Sequence, residues 1–539
     1  MTTRTRNQET KAEAVHDSAA AAAQGAHNDR RVFLLPLVFA AAILLLSMVP
    51  RVQESDVLQF SFVGAAVALL LLQAFLGLQL KRRSESARSI KIVLRPQHYV
   101  QALVQVSLYI YWGWYWEPVY GHLWLILGQL LFAYGFDMLL SWTKRESYML
   151  GFGPVPIVGS INLFLWFHDD LFYLQFVMIA VGFMGKELVR WRRDGRLVHI
   201  FNPSAFALGL FSLILILTGT TDLTWGSDIA STLTLAPHMY LFLFLAGVVL
   251  MYKFAITLVA GCAAIVLFGL SELYMALEGV PYFVDSAIPA AVFLGLHLLI
   301  TDPSTSPRTP LGKAIFGVLY GLGVFGLYSL LGALDVPTFY DKLLCVPLLN
   351  LSVIAIDRLA HAIHTGTNWQ YWFEDGVPQR VNIKHIAVWI VVFFSATLLG
   401  KTDGLHTGDR LPFWQQSCDS GNVEGCERLL TITGNYCSDR SAWACNDLGL
   451  HYRRGDLVAV DSIKARDYFS RACELRFEPA CVNLLDDEAL AAAPPKDLDL
   501  RLLLRERGLN LLDMPLDDLH ARACVHGWEF ACRQEERGR

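Results

Sequence analysis

Charge is what this 539-residue chain has least of. Asp, Glu, Lys and Arg together make up 17% of it, where a hydrated globular exterior takes about 25%. With 54% hydrophobic residues and a mean hydropathy of +0.39, that shortfall excludes a mostly soluble enzyme, a disordered chain and a coiled coil. Nor is there a basic excess for nucleic acid: 44 Lys+Arg stand against 49 Asp+Glu, a net charge of −5. The N-terminus lacks the small-residue cleavage site of a signal peptide, so the first apolar run is expected to remain as an anchor. The apolar part has no cysteine cluster for an iron–sulfur centre and no paired histidines suited to haem. Cys262 and Cys345 stand alone there and read as small buried hydrophobes, and His168, His361 and His364 read as interfacial side chains. No residue is assigned a catalytic or metal-ligating role, which leaves open whether the chain is an enzyme.

What remains is the pattern of a polytopic, all-α membrane protein. A span needs about 20 predominantly apolar residues. About thirteen segments qualify, near 31–50, 57–79, 98–117, 122–142, 149–168, 171–189, 200–218, 238–252, 254–270, 286–300, 314–331, 339–357 and 385–400. Residues 1–30 read as a disordered cytoplasmic arm and 31–400 as the membrane domain. Basic clusters (Lys81 to Arg95, Lys144–Arg145, Lys186 to Arg196, Arg308 with Lys313) alternate with acidic connections at Asp169–Asp170, Asp222 with Asp228, Glu272 with Glu278, and Asp335. Lys/Arg-rich short loops stay cytoplasmic. Thirteen spans with the N-terminus inside then put the C-terminus outside.

Beyond residue 401 the composition turns soluble and carries eight of the ten cysteines. They form four pairs, Cys418/Cys426, Cys437/Cys445, Cys473/Cys481 and Cys524/Cys532, each with seven residues between its members. Zinc sites favour tighter spacings with His partners. A short helix–turn–helix brings positions eight apart within the Cα distance a disulfide needs. Disulfides persist in oxidising compartments, so the tail is expected on the periplasmic side, the side reached independently from the basic loops. The stretch Ala444-Cys-Asn-Asp-Leu-Gly-Leu-His-Tyr452, then Gly455, Asp461, Lys464-Ala465, Tyr468-Phe469 and Arg471-Ala472-Cys473, closely resembles the Sel-one-like repeat, a relative of tetratricopeptide repeats. That resemblance implies an α-solenoid-like domain over 403–539 that docks a periplasmic protein. Its small residues (Ala444, Gly449, Ala465, Ala472, Ala480) let helices approach, and Leu448, Tyr452 and Phe469 fill between them.

Polar groups inside hydrocarbon are costly and invite a functional reading. Asp137, Lys253, His297 and Asp357 are such groups; Lys253 can snorkel and Asp357 can pair with Arg358. Two proline-containing segments are more pointed. In His199-Ile-Phe-Asn202-Pro203-Ser204, Asn as N-cap and Pro at the first helical position start a helix with free N–H groups. In Thr301-Asp302-Pro303-Ser304-Thr305-Ser306-Pro307-Arg308-Thr309-Pro310, with Lys313 following, hydroxyls and cations surround a helix start, an arrangement suited to an anion. Broken helices of this kind also occur at the sites of secondary transporters.

The run Asn202-Pro203-Ser204-Ala205-Phe206, with Asp302-Pro303, Ser306-Pro307, Thr309, Gly312-Lys313, Ile315-Phe316-Gly317 and Asp357, resembles a membrane family over roughly 90–365. It is the family of the D subunit of the Rnf electron-transport complex and the B subunit of the sodium-translocating NADH:quinone oxidoreductase. A branch associated with enediyne biosynthesis shares the Asn-Pro-Ser pattern. The resemblance implies a bacterial inner-membrane subunit that binds FMN or riboflavin and passes electrons to other subunits of a redox complex. It makes Asn202, Asp302, Ser306, Thr309 and Lys313 cofactor-binding residues. Family members carry covalent FMN on the last Thr of Asp-x-x-Ser/Thr-Gly-Ala-Thr. The corresponding stretch here is Asp228-Ile-Ala-Ser231-Thr232-Leu233-Thr234, which makes Thr234 the attachment point while Gly and Ala have become Thr232 and Leu233. An ion or small-molecule transporter and a redox-silent scaffold are the alternatives on the same frame.

Overall fold

The computed structural model describes residues 30–83, 88–193, 195–284, 286–363, 370–403, 406–409, 411–438, 440–475, 477–484 and 521. The proposed N-terminal arm, apart from its last residue, and His364, Cys524 and Cys532 lie outside these residues. The chain divides into two compact units: Met1–Glu272 with Ser286–Leu405, and Leu273–Asp285 with His406–Arg539.

The first unit is helical with two small strand pairs. In order come α1 (Leu35–Leu46), α2 (Asp56–Arg83), β1 (Ser89–Ile92), α3 (Pro96–Tyr115), α4 (Pro118–Trp142), β2 (Ser147–Leu150), α5 (Pro154–Asn162) and α6 (Tyr173–Leu188). The hairpin β3 (Arg190–Arg193) and β4 (Arg196–His199) leads to α7 (Pro203–Thr218), α8 (Gly226–Thr232), α9 (Met239–Phe254), α10 (Thr257–Glu278), α11 (Ala290–Leu298), α12 (Pro310–Ala333), α13 (Asp341–Ala362) and α14 (Gln379–Leu398). Proline opens α3, α4, α5, α7 and α12, where its missing N–H costs nothing and its fixed φ favours the helix. β1 pairs in parallel with β2, and β3 antiparallel with β4.

Six of the described helices are long and apolar enough to cross a membrane, and up to seven if the segment containing α8, bent by 100° against α9, counts with it as one. This corrects the expectation of about thirteen spans. Several of the remaining apolar runs are broken into pieces below the length that crosses hydrocarbon: α1 has 12 residues, α5 and α11 have 9 each, and α6, α7 and α9 have 16 each. Hydropathy averaged over a window does not register where a helix stops. Gly219 at the end of α7 and Ala255 after α9 adopt left-handed conformations (φ 65° and 52°), and such residues end helices inside apolar sequence.

Helix lengths and connections repeat. The series α3–α6 and the series α9–α12 each place a two-residue break after the first helix (116–117, 255–256). Each then has eleven residues before a nine-residue helix (143–153, 279–289), and ten or eleven after it (163–172, 299–309). The start of α5 and the end of α11 line the same cavity.

The unwound stretches after the two short helices need hydrogen-bond partners. After α5, Gln175 Nε2 donates to Leu165 O (3.2 Å) and the Phe167 N–H donates to Gln175 Oε1 (3.3 Å), while Asn162 is locked to Gln129. After α11, Asn202 Nδ2 donates to Leu299 O (3.0 Å) and Asn350 Nδ2 to Thr305 O (3.1 Å). At the break between α9 and α10, Asn382 Nδ2 donates to Met251 O (2.9 Å), Gln379 Nε2 to Tyr252 O (3.1 Å) and Lys313 Nζ to Ala255 O (2.9 Å).

The second unit contains α15 (Leu411–Asp419), α16 (Val423–Ser438), α17 (Ala442–Arg454), α18 (Ser462–Glu474) and α19 (Glu478–Asn483). Ala444, Leu448, Ala465, Phe469, Ala472 and Ala480 are buried in one cluster. A Cβ at Gly449 would lie 2.5 Å from the Phe469 ring, which is why a helix of this pair carries glycine there. Tyr452 stacks on Tyr468 (5.6 Å between centroids). Asp461 caps α18 by accepting from the Ile463 and Lys464 N–H groups (3.1 and 3.0 Å). A smaller cluster joins Val280, Trp414, Cys418 and Leu429. The expected solenoid is therefore corrected to five described helices around two small cores, because stacked repeats need about three units and one clear pair, α17–α18, is present.

Disulfides link Cys418 to Cys426 and Cys437 to Cys445, with Cα atoms 4.4 and 4.6 Å apart. Cys473 is disulfide-bonded as well, and the side chain of Cys481 is outside the described residues. The first two links each join the end of one helix to the start of the next. Closing so short a loop contributes about 2–3 kcal/mol. Replacing Cys437 and Cys445 together by Ser is expected to lower the stability of the tail by that amount, read as an earlier midpoint in urea unfolding or faster limited proteolysis after α16.

Candidate functional site

One polar cavity of about 620 Å³ opens in the first unit at the end that bears the basic segments. Its walls come from the starts of α3, α5 and α7, the ends of α6, α9 and α11, and the Asp302–Ser304 turn. Arg95 and Lys253 are exposed at its mouth, and Lys186 is half-buried. The deeper wall is neutral and polar: Ser160, Asn202, Ser204 and Thr301 are all buried. The volume lies within the range of small-molecule sites.

Local sequence chemistry sets these positions. Asn202 caps α7, its Oδ1 accepting from the Ser204 and Ala205 N–H groups (3.1 and 3.3 Å). Its own N–H donates to Asn350 Oδ1 (3.0 Å). Asp302 closes a turn by accepting from the Ser304 N–H (2.9 Å) and hydroxyl, and its other oxygen lies 3.6 Å from His199 Nε2. Burial would raise the Asp302 carboxyl, but His199 and the two Ser304 donors outweigh it and hold it below the usual carboxylate range. The group stays ionised around neutral pH.

Of the residues assigned to a cofactor from sequence, Asn202 and Asp302 meet in this cavity. Ser306, Thr309 and Lys313 do not line it. The Ser306 carbonyl accepts from both terminal nitrogens of Arg193 (3.1 and 3.2 Å). The Thr309 hydroxyl caps α12 by accepting from the Gly312 N–H (3.0 Å), and Lys313 satisfies the carbonyl of Ala255. All three hold the frame behind the cavity. Thr234 is elsewhere: Tyr111, near the end of α3, donates to Pro237 O, whereas Arg95 precedes the start of α3. Roughly 30 Å of helix separates the two ends. Thr234 is exposed, its hydroxyl donating to Ser231 O (2.9 Å), and Leu233 is turned inward and fully buried.

Asp137, His297 and Asp357 each have partners in the protein, although His297 Nε2 is buried without a hydrogen bond. Asp137 accepts from the Tyr148 hydroxyl (3.2 Å) and lies 3.6 Å from Lys186 Nζ. His297 Nδ1 is 2.7 Å from Phe293 O, in a nest of aromatic rings. Asp357 pairs with Arg193 and accepts from the Arg308 N–H (3.0 Å), rather than pairing with Arg358. Sequence reasoning treated Arg95 and Lys186 as markers of sidedness and Lys253 as a snorkelling side chain. Their convergence on one cavity had no signal in spacing, because they lie on three separate elements. Among the described residues no group of three or more His, Cys, Asp and Glu side chains is placed to hold a metal ion.

Asn350 bridges α13 to both Asn202 and Thr305, so its loss leaves a buried N–H and a buried carbonyl without partners. Asn350→Ala is expected to destabilise the protein by about 2–4 kcal/mol, seen as a lowered Tm in detergent. Ser352→Ala, which removes a hydroxyl bonded within its own helix, serves as the near-neutral control. No family profile, curated protein or solved structure matches the chain.

Proposed function

We propose that this protein is a membrane electron-transfer subunit that holds a flavin, FMN or riboflavin, in the polar cavity around Asn202 and Asp302. The observation that carries the proposal is that cavity: the two segments on which the resemblance to the Rnf and sodium-pumping subunits rests meet in its wall. Its residues suit such a ligand. The volume accommodates a tricyclic ring and the mouth is cationic; the Ser160 hydroxyl, which accepts from Gln105, can donate to a ring edge, and the Ser204 and Thr301 hydroxyls, which donate to Asn202 Oδ1 and His297 O, keep lone pairs that can accept. Bound there, a flavin would supply one- or two-electron transfer; the protein's own part is to orient it and shield it from water. The resemblance makes Thr234 a point of covalent FMN attachment, an exposed hydroxyl at the far end of α3 and away from this cavity. In this reading the tail lies in the bacterial periplasm, supported by its disulfides, and docks a partner protein there, while other redox subunits meet the membrane unit. The same reading puts the N-terminus in the cytoplasm.

Purified full-length protein is expected to be yellow and to lose most of its extractable flavin on Asn202→Leu. Fluorescence that survives denaturation is expected to vanish in Thr234→Ala. A colourless preparation overturns the reading. The two interrupted segments, each with a nine-residue helix, favour a second reading, an ion or small-molecule transporter, for which a colourless protein that moves solute in liposomes would be the positive result. Sidedness has its own check. Maleimide labelling of reduced, intact cells should reach the tail cysteines without permeabilising the inner membrane.

A further inference from the structure

We infer that the mouth of the cavity is a phosphoryl site, with Arg95, Lys186 and Lys253 holding a phosphate group while the rest of the ligand lies against the buried polar floor. The inference deepens the flavin reading and rests on the same cavity, but specifies the phosphorylated form over the bare ring system. Charge is the first argument. Three cations line the cavity against one carboxylate, Asp302, which already accepts from Ser304 and faces His199. Lys186 shares Asp137 at 3.6 Å. Among the described residues Arg95 and Lys253 have no carboxylate partner: Arg95 reaches the Met149 sulfur at 3.9 Å, and Lys253 lies over the Tyr252 ring at 5.8 Å. Two unpaired positive charges match the charge of a phosphate monoester at neutral pH, about −1.5 to −2.

Position is the second argument. The cations are at the open mouth, while the neutral donors and acceptors lie deeper. A ligand with one anionic end and one uncharged polar end fits that gradient in a single orientation. Guanidinium and ammonium groups provide charge-assisted bonds to phosphate oxygens, the arginine with a planar fork. Two sources of phosphate have this chemistry: a soluble cofactor such as FMN, and the headgroup of an anionic lipid at the membrane surface.

The test uses the full chain in nanodiscs of phosphatidylcholine alone, titrated with FMN, riboflavin and inorganic pyrophosphate by calorimetry. FMN is expected to bind about tenfold or more tightly than riboflavin, and pyrophosphate to compete with it. In the double variant Arg95→Gln, Lys253→Gln the preference should collapse toward one and pyrophosphate binding should disappear, with Arg95→Lys restoring part of both. An unchanged Tm shows that these exposed positions leave the fold intact. Equal binding of the two flavins, or a preference that survives the double variant, overturns the phosphoryl site while leaving the flavin reading standing. Pyrophosphate binding without either flavin does the reverse. Binding that disappears when phosphatidylglycerol is included identifies a lipid headgroup as the phosphate source and supports the site. Failure of all three ligands in phosphatidylcholine overturns both proposals.

Discussion

A peptide group that leaves a helix inside hydrocarbon has to find its partner in the protein, and this requirement shapes the membrane unit more than any other. Each buried N–H or carbonyl left unpaired costs several kcal/mol. The chain interrupts its helices in at least three places within apolar sequence, after α5, after α9 and after α11. At each one, amide, lysine or arginine side chains from neighbouring elements supply the missing bonds. Gln175 serves the first break, Asn382, Gln379 and Lys313 the second, and Asn202, Asn350 and Arg193 the third. Polar residues that look like ligands in the sequence are largely committed to this task.

The same requirement explains what was legible beforehand. Composition and apolar runs disclosed a polytopic helical protein, and the Asn202-Pro203 pair disclosed a capped helix start because both act locally. In the tail, small residues and, for Cys418–Cys426 and Cys437–Cys445, the equal cysteine spacing translated directly into helix contacts and links, since each involves neighbours a few residues apart. The number of complete spans was not legible, because the breaks at Gly219 and Ala255 follow from backbone conformation rather than hydropathy. Lys313 shows the other limit. A cation beside hydroxyls at a helix start suggests an anion, yet its Nζ ends on the carbonyl of Ala255, more than fifty residues away in sequence. Arg95 and Lys253 misled in the opposite direction: their place at segment ends accounted for them so well that their shared cavity went unsuspected.

The start of α5 and the end of α11 meet at one wall of the cavity. At the start of α5, Pro154 and Pro156 carry no N–H, and the Val155 N–H donates to Phe152 O (3.2 Å). At the end of α11, Asn202 Nδ2 donates to the Leu299 carbonyl (3.0 Å). With these backbone groups occupied, the positive charge at that wall comes from Arg95, Lys186 and Lys253. Asn202 caps α7, ties down Leu299 and forms part of the wall.

The described tail links share a property with a different outcome. The first two join adjacent helix ends only eight positions apart. The second joins α16 to α17, and so ties the helices before it to the α17–α18 pair. A single cut in the connection between α17 and α18, at residues 455–461, lies outside both loops, so neither of these two links would hold α18 to the rest; that falls to the core shared by Leu448, Ala465 and Phe469 and to whatever bridge Cys473 makes.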